Sequence, residues 1–344
     1  MQEWLCLDET KLILFWISIV DRVLRTPVVL IIFNRPHFTE RVFAEIARAK
    51  PEKLFIIADG PRADRPDEKE KCAAARAIVD RVDWDCDVLK NYSEVNLGCG
   101  LRPATGISWV FEHVEEAIIL EDDCVPHPAF FRFCDELLER YRDDERVMMI
   151  AGSNRWFRQK RTAYSYHFSR LPWNWGWATW RRAWRRFDIE IKPWPHLRET
   201  KWLSEILENT EAVGFWRKAF DEAHAGKGKV DFWDYQWTFA CWSHSGLCVY
   251  PNTNLITNIG FGEDATHTKN RRSVVAYLPT FGTKFPLQHP PAVAHDKGID
   301  EYVIQLQTRS PSVKPLRVHQ KLYRKFGAFI PRRLQKAISN LGWL

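Results

Sequence analysis

No acidic residue follows Glu301 in this 344-residue chain, yet nine of its 50 lysines and arginines do. That leaves 41 bases against 44 acids over residues 1–301, so the bulk is mildly acidic and only the tail is basic. A uniformly basic nucleic-acid-binding protein is excluded by that split, and no nucleic-acid partner is expected. Long apolar runs are missing too. Leu12–Val20 is nine residues with Ser18 inside it, too short for the ~20 residues a bilayer-spanning helix needs. Glu3, Asp8 and Glu9 precede it and no small-x-small cleavage site comes after it, so a secretory signal is not expected. The eight cysteines contain no C-x-x-C pair and no Cys/His cluster at zinc spacing, which argues for reduced thiols in the cytoplasm rather than a stapled secreted domain. No repeat of 20–50 residues and no low-complexity linker is present.

What is present is an ordinary globular balance, 45% hydrophobic and 27% charged, which excludes disorder, collagen and coiled coil for the bulk. The outlier is aromatic, with 17 Trp and 21 Phe. Such side chains fill cores, and they also stack on sugars and bases. The tail interleaves apolar and basic residues from Leu316 to Phe326, then Ala328–Ile330, Leu334, Ala337 and Ile338. A helix docked on its own domain or a surface helix at anionic lipid fits that pattern. Residues 1–25 read as a packing helix or a membrane-surface segment.

From Thr26 onward apolar strands and amphipathic helices alternate. Thr26–Phe33 and Leu54–Ile57 are continuous apolar runs, as expected of strands buried on both faces. A helix is predicted after Asn34-Arg-Pro36, with Thr39 as its cap and Phe38, Val42, Phe43 and Ile46 as its stripe. Further helices are predicted near 70–81, over Pro103–Ala117 and over Pro128–Arg142. Further strands are predicted near 85–89, at Ala117–Leu120 and at Val147–Ala151. This alternation predicts an α/β fold with a mixed, mainly parallel sheet flanked by helices. Ligands in such folds sit beyond the carboxyl ends of the strands. Here those ends carry Asn34 and Arg35, Asp59 and Gly60, and Glu121-Asp122-Asp123. After residue 152 the alternation stops and aromatics dominate.

Three consecutive acids after a buried strand raise one another's pKa unless a positive charge sits among them. A divalent cation held by oxygen ligands, Mg2+ or Mn2+, is the usual solution. A solvated loop in which Asp123 caps a turn would explain the same residues. Beside the triplet stand Asn96-Leu-Gly98 and Gly106, and after it Val125-Pro-His-Pro-Ala-Phe-Phe131. This ordered block resembles the nucleotide-sugar glycosyltransferases of the GT-A fold. Among them it is similar to the N-acetylglucosaminyltransferase I-like family and to bacterial hemolytic-protein-like glycosyltransferases. Leu171-Pro-Trp-Asn-Trp-Gly-Trp177 resembles the family's F-P-G-L-G-W loop, and Phe232-Trp-Asp-Tyr-Gln-Trp237 its F-W-D-D-W segment. Tyr250-Pro-Asn-Thr-Asn-Leu255 with Gly260-Phe-Gly262 is similar to the family's next segment along the chain. The resemblance spans residues 26–268. It departs at Tyr235, where the family has a second acid.

The resemblance implies a glycosyltransferase, of hexosyltransferase type, that moves a sugar from a nucleotide-diphosphate donor, a UDP-sugar, to a saccharide or lipid-linked acceptor with inversion. It implies Asp123 as metal ligand, Glu121 and Asp122 facing ribose and sugar hydroxyls, and Asp59 facing the uracil ring. Asn34 and Arg35 would lie beside the nucleotide, and the Arg35 fork suits a phosphate; Arg102 is a second phosphate candidate. An acceptor hydroxyl needs a general base. Asp234 falls on the first acid of the family segment, and Asp231, on the same face if helical, is the alternative. Trp173, Trp175 and Trp177 are expected to stack on acceptor sugar, with Gly176 bending the backbone; Trp180 and Trp184 are expected in the core. His267 is a second candidate ligand for metal or diphosphate. The implied organisation is an N-terminal extension (1–25), a nucleotide-sugar-binding half (26–151), an acceptor-side half of the same domain (152–300) and a basic amphipathic tail (301–344). The tail suggests a cytoplasmic protein in polysaccharide biosynthesis with peripheral contact at the inner face of the plasma membrane. Two other functions fit parts of the pattern. A sugar-phosphate nucleotidyltransferase would want a Gly-rich loop after the first strand, and Asn34–His37 contains no glycine. A non-catalytic carbohydrate-binding protein would use the tryptophans and leave the acids without work.

Overall fold

The computed structural model describes residues 24–154, 162–227, 230–262 and 275–308. Strands β1 (Val28–Ile32), β2 (Lys53–Ala58), β3 (Asp87–Tyr92) and β4 (Glu116–Glu121) pair in parallel in the order β3-β2-β1-β4. The short β5 (Cys124–Pro126) then leaves the sheet. β6 (Val147–Ala151), β7 (Tyr166–Ser169), β8 (Trp177–Trp180) and β9 (Leu247–Pro251) extend it to eight strands in the order β3-β2-β1-β4-β8-β6-β9-β7. β8 lies antiparallel between β4 and β6, β7 lies antiparallel at the edge, and the others run one way. β10 (Ile256–Asn258) pairs antiparallel with β5 in a separate two-stranded ribbon. The fold is the expected α/β type with a mixed, mainly parallel sheet flanked by helices.

Side-chain alternation on β1 and β2 explains the layers. Val28, Leu30, Leu54 and Ile56 point to one face, covered by α1 (Pro36–Ala49), α2 (Glu68–Val79) and later by α4 (Ala129–Arg140). Val29, Ile31, Phe55 and Ile57 point to the other, covered by α3 (Gly98–His113), the single turn α5 (Arg181–Trp184) and α9 (Asp234–Ser243). Every residue of β1 is buried, and each large aliphatic side chain contributes on the order of 1.5–3 kcal/mol by leaving water. The remaining helices, α6 (Trp194–Arg198), α7 (Trp202–Leu207), α8 (Thr210–Ala225) and α10 (Lys297–Thr308), enclose a third cluster around Trp194, Trp216 and Phe220. Among the described residues no helix is long and apolar enough to cross a membrane.

Two helix starts differ from the sequence reading. Thr39 does not cap α1. The helix opens with Pro36 in its first turn, where a missing N–H costs nothing, and Thr39 Oγ1 donates to the Arg35 carbonyl at 3.2 Å. The helix predicted from Pro103 begins at Gly98, with Pro103 inside it, and ends at His113. Its start is set by a distant residue, since the Asp59 carboxylate accepts the N–H groups of Leu97 and Gly98 at 2.9 and 3.0 Å. A carboxylate there satisfies orphan donors and complements the helix dipole.

Candidate active site

β1 and β4 pair with Ile31 opposite Glu121. That register brings the residues after β1, Phe33-Asn34-Arg35, alongside the acids that end β4. Arg35 supplies the cation. Its Nη2 pairs with Asp122 Oδ1 and its Nε donates to Asp122 Oδ2 at 3.3 Å. The same Nη2 lies 3.0 Å from Asp123 Oδ2. The guanidinium also stands over the Phe38 ring, 5.3 Å from its centroid, which limits where it can swing. Burial opposes the charge on Arg35, but the two carboxylates outweigh it and hold its pKa above the usual arginine value. Asp122 is buried, and burial pushes its carboxyl up while Arg35 opposes the shift. Glu121 is pushed up to about 8, first by desolvation, then by Asp123 and Asp122, with Arg35 pulling the other way and Asp234 adding a further push.

The ribbon of β5 and β10 fixes Asp123 from the opposite side. Asn258 pairs with Cys124 in the register, and its Nδ2 donates to Asp123 Oδ1 at 3.3 Å. The Ile259 N–H donates to the Asp123 carbonyl at 2.9 Å, and the Gly260 N–H to Asn258 Oδ1 at 2.9 Å. A Cβ on Gly260 would sit 1.9 Å from Asp123 Oδ2. Glycine is required there because the carboxylate already occupies the space a side chain would take.

Asp234 opens α9, and Asp231 lies in the segment ahead of it, so the two do not share a helical face. The Asp231 carbonyl accepts the Cys99 thiol at 3.1 Å. Asp231, Glu121 and Asp234 all act on Cys99, whose thiol burial raises to about 11, with Asp231 adding the next push. The start of α3 therefore lies against the segment that leads into α9. Asp234 is half-buried and Asp231 exposed.

Asp59 is buried, and its carboxylate is fully engaged. Oδ1 accepts the Gly60 and Leu97 N–H groups, each at 2.9 Å; Oδ2 accepts the Gly98 N–H and Asn96 Nδ2, each at 3.0 Å. Burial raises its pKa, and those backbone donors counter the rise. Three of these bonds hold the Asn96–Gly98 turn and the fourth holds the Gly60 N–H, so a direct contact with a uracil ring does not follow from this arrangement. Asn34 Nδ2 donates to Glu68 Oε1 at 3.0 Å. Glu68 is also clasped by Arg62, whose N–H and Nε both donate to it, and these bonds hold its carboxyl low against the opposing effect of burial.

Two expectations are corrected by burial. Arg102 is not poised for phosphate. It is 5% exposed, its Nε donates to the Ala58 carbonyl at 3.2 Å, and its Nη2 donates to Asn91 Oδ1 at 2.7 Å, so it ties the ends of β2 and β3 together. Trp177 is not an acceptor platform. It is fully buried at the start of β8, with Trp233 stacked at 5.6 Å and Trp237 at 5.7 Å. Trp173 and Trp175 are half-buried and meet edge-on at 5.0 Å; Trp175 meets Phe261, next to Gly260, at 5.7 Å. Gly176 has φ +59°, the bend expected of it, and Ile256 Cδ1 lies 2.3 Å from where its Cβ would be. Trp180 and Trp184 are core residues as expected. His267 lies outside the described residues.

The site also contains residues that pattern reading passed over: Asn258, Arg62 and Glu68. Asn258 carried a signal, being the last residue of an Ile-Thr-Asn run two before Gly260. Arg62 and Glu68 lie in a polar stretch with no periodicity to mark them.

No known protein family matches the chain, and no curated protein does. Among solved structures it is similar to a mannosyltransferase from Pyrobaculum calidifontis in complex with GDP-Man and Mn2+, at 13% identity and TM-score 0.33 over 52% of this chain and 55% of that one. It is similar to a UDP-glucose pyrophosphorylase complexed with UDP-glucose, at 11% identity and TM-score 0.25 over 44% of this chain and 64% of that one. It is also similar to glucosyl-3-phosphoglycerate synthase from Mycobacterium tuberculosis in complex with Mn2+, UDP and phosphoglyceric acid, at 14% identity and TM-score 0.31 over 50% and 65%. The chain thus spans between half and two thirds of the length of each of these structures. Likeness at this level carries no argument about function.

The donor set around Asp123 fits one kind of metal. Glu121, Asp122 and Asp123 share a single guanidinium, so the cluster is short of positive charge. Among the described residues no group of three or more His, Cys, Asp or Glu is arranged to hold a metal by itself. One or two carboxylates completed by phosphate oxygens is how Mg2+ is ordinarily held. The residues present therefore suit a hard divalent cation that arrives with phosphate.

Proposed function

We propose that this chain is a metal-dependent glycosyltransferase that moves a sugar from a nucleotide-diphosphate donor, a UDP-sugar, to a saccharide or lipid-linked acceptor with inversion. The observation that carries this reading is the juxtaposition at the end of β4: three acids, with one arginine shared between two of them, and Asp234 at the start of α9 near enough to bear on Glu121. Asp123 would hold Mn2+ or Mg2+. Bound there, the cation supplies Lewis-acid neutralisation of the charge that develops on the departing diphosphate. Arg35, already forked toward oxygen pairs, is suited to meet a phosphate. Glu121 and Asp122 would face donor hydroxyls, and Asn34, held by Glu68, would border the nucleoside. Asp59 contributes by fixing the Asn96–Gly98 turn. Asp234 would accept the proton of the attacking acceptor hydroxyl, and Trp173 and Trp175 would offer their faces to the acceptor's C–H surfaces.

No observation favours the nucleotidyltransferase reading, since β1 runs through Asn34 and Arg35 directly into α1 without a glycine-rich turn. Peripheral membrane contact and a cytoplasmic location belong to this proposal as well. The tail that would mediate the contact, residues 309–344, lies outside the described residues. The test is a panel of UDP-, GDP- and dTDP-sugars incubated with the protein, Mn2+ and saccharide or lipid-linked acceptors, read as nucleoside diphosphate release. Release of UDP that requires both acceptor and Mn2+ is expected. Pyrophosphate exchange in place of diphosphate release would move the assignment to nucleotidyl transfer.

A further inference from the structure

One oxygen of the Asp123 carboxylate, Oδ2, lies 3.0 Å from Arg35 Nη2. The other oxygen faces Asn258 Nδ2 at 3.3 Å and the Cys124 thiol at 3.4 Å. Both oxygens of the carboxylate are thus engaged by the chain itself. Arg35 spans the two acids with a single nitrogen and retains Asp122 through both Nε and Nη2. Its contact with Asp123 is the one it can give up without leaving Asp122 unpaired.

We propose that Arg35 makes divalent-cation binding conditional on the nucleotide diphosphate. Without nucleotide the guanidinium acts as the counter-ion of Asp123 and a metal must compete with it. A diphosphate changes both sides of that competition. Its oxygens give Arg35 an alternative partner, and they complete a coordination shell that the protein alone does not provide. Metal and diphosphate therefore bind cooperatively, and linkage requires that each raise the other's affinity by the same factor. This rests on the reading of the site as a diphosphate and metal site. The chemistry recognised is that of a nucleoside diphosphate as opposed to a monophosphate, because oxygens on two linked phosphates can chelate the cation while another engages Arg35, whereas a monophosphate must divide the oxygens of a single phosphate between them.

The experiment is Mn2+ binding followed by electron paramagnetic resonance, with no turnover involved, in the presence and absence of UDP or UMP. In the wild type Mn2+ should bind weakly alone and at least about tenfold more tightly with saturating UDP, a coupling within the usual range for linked sites, and UMP should do much less. Arg35→Gln removes the competitor. Its affinity for Mn2+ alone should rise severalfold and its response to UDP should shrink. Arg35→Lys keeps the charge but loses the planar fork that holds Asp122 through Nε and Nη2 together, so it should fall between the two and serves if the glutamine variant does not fold by circular dichroism. Tight Mn2+ binding by the wild type without nucleotide, or an Arg35→Gln affinity no higher than wild type with UDP coupling intact, would overturn the conditional role and leave the site reading standing. Absence of Mn2+ binding in every protein with UDP present would overturn the site reading itself and this role with it.

Discussion

Asp234→Asn should reduce turnover by roughly 10²–10⁴-fold, the range contributed by a general base, while leaving the Kd for UDP with Mn2+ close to wild type. The amide keeps the shape of the carboxylate and its place at the first position of α9, where an acidic group also complements the helix dipole. That structural share is worth only about 0.3–1 kcal/mol, so thermal melting should shift little. A kcat loss without a matching change in nucleotide affinity separates proton transfer from donor binding. Asp231→Asn is the comparison. Its side chain is exposed and lies ahead of the helix, so its kcat should stay near wild type. Equal losses in the two variants, or a large loss confined to Asp231→Asn, would place the base elsewhere.

Trp177→Ala should unfold the protein or bring it to the edge of unfolding. The indole is fully buried and touches Trp184, Trp233 and Trp237, which join β8 to α5 and α9 across one face of the sheet. Removing such a side chain costs roughly 3–5 kcal/mol through lost burial and the cavity left behind. A typical domain has only about 5–15 kcal/mol in total. Chemical denaturation followed by circular dichroism would show a large fall in midpoint. Trp175→Ala, whose ring is half-buried beside Phe261, should cost less stability and instead raise the KM for acceptor. If Trp177→Ala melted like wild type and lost only acceptor affinity, the ring would have to be a sugar platform after all.

The contrast between Trp177 and Trp175 shows where sequence reading stops. Period-two spacing announces that the three tryptophans of this segment are related, but which of them is covered depends on α9 packing against β8 from some sixty residues away. Arg102 fails for the same reason: a basic residue near a strand end reads as a phosphate ligand until the Ala58 carbonyl and the Asn91 side-chain oxygen claim it. The parallel strands were legible because continuous apolar runs tolerate few other structures. The start of α3 was not, because its capping carboxylate is Asp59, on β2's far end, and the helix's own composition points to Pro103. β7 and β8 are four residues each, too short for periodicity to separate strand from loop, and the insertion of β8 between β4 and β6 is a tertiary fact. Of the site, the acid triplet and Arg35 were visible as strand-end chemistry. Asn258 and Gly260 gain their meaning only when β10 pairs with β5 and presses them against Asp123.

The central claim is that Asp123 holds a divalent cation that in turn holds a nucleotide diphosphate. Calorimetric titration of UDP into the protein, with and without Mn2+, and repeated on Asp123→Ala, tests it most directly. Binding that needs Mn2+ in the wild type and disappears in the variant is the predicted result. UDP binding of equal strength with or without Mn2+, and unchanged by Asp123→Ala, would contradict it.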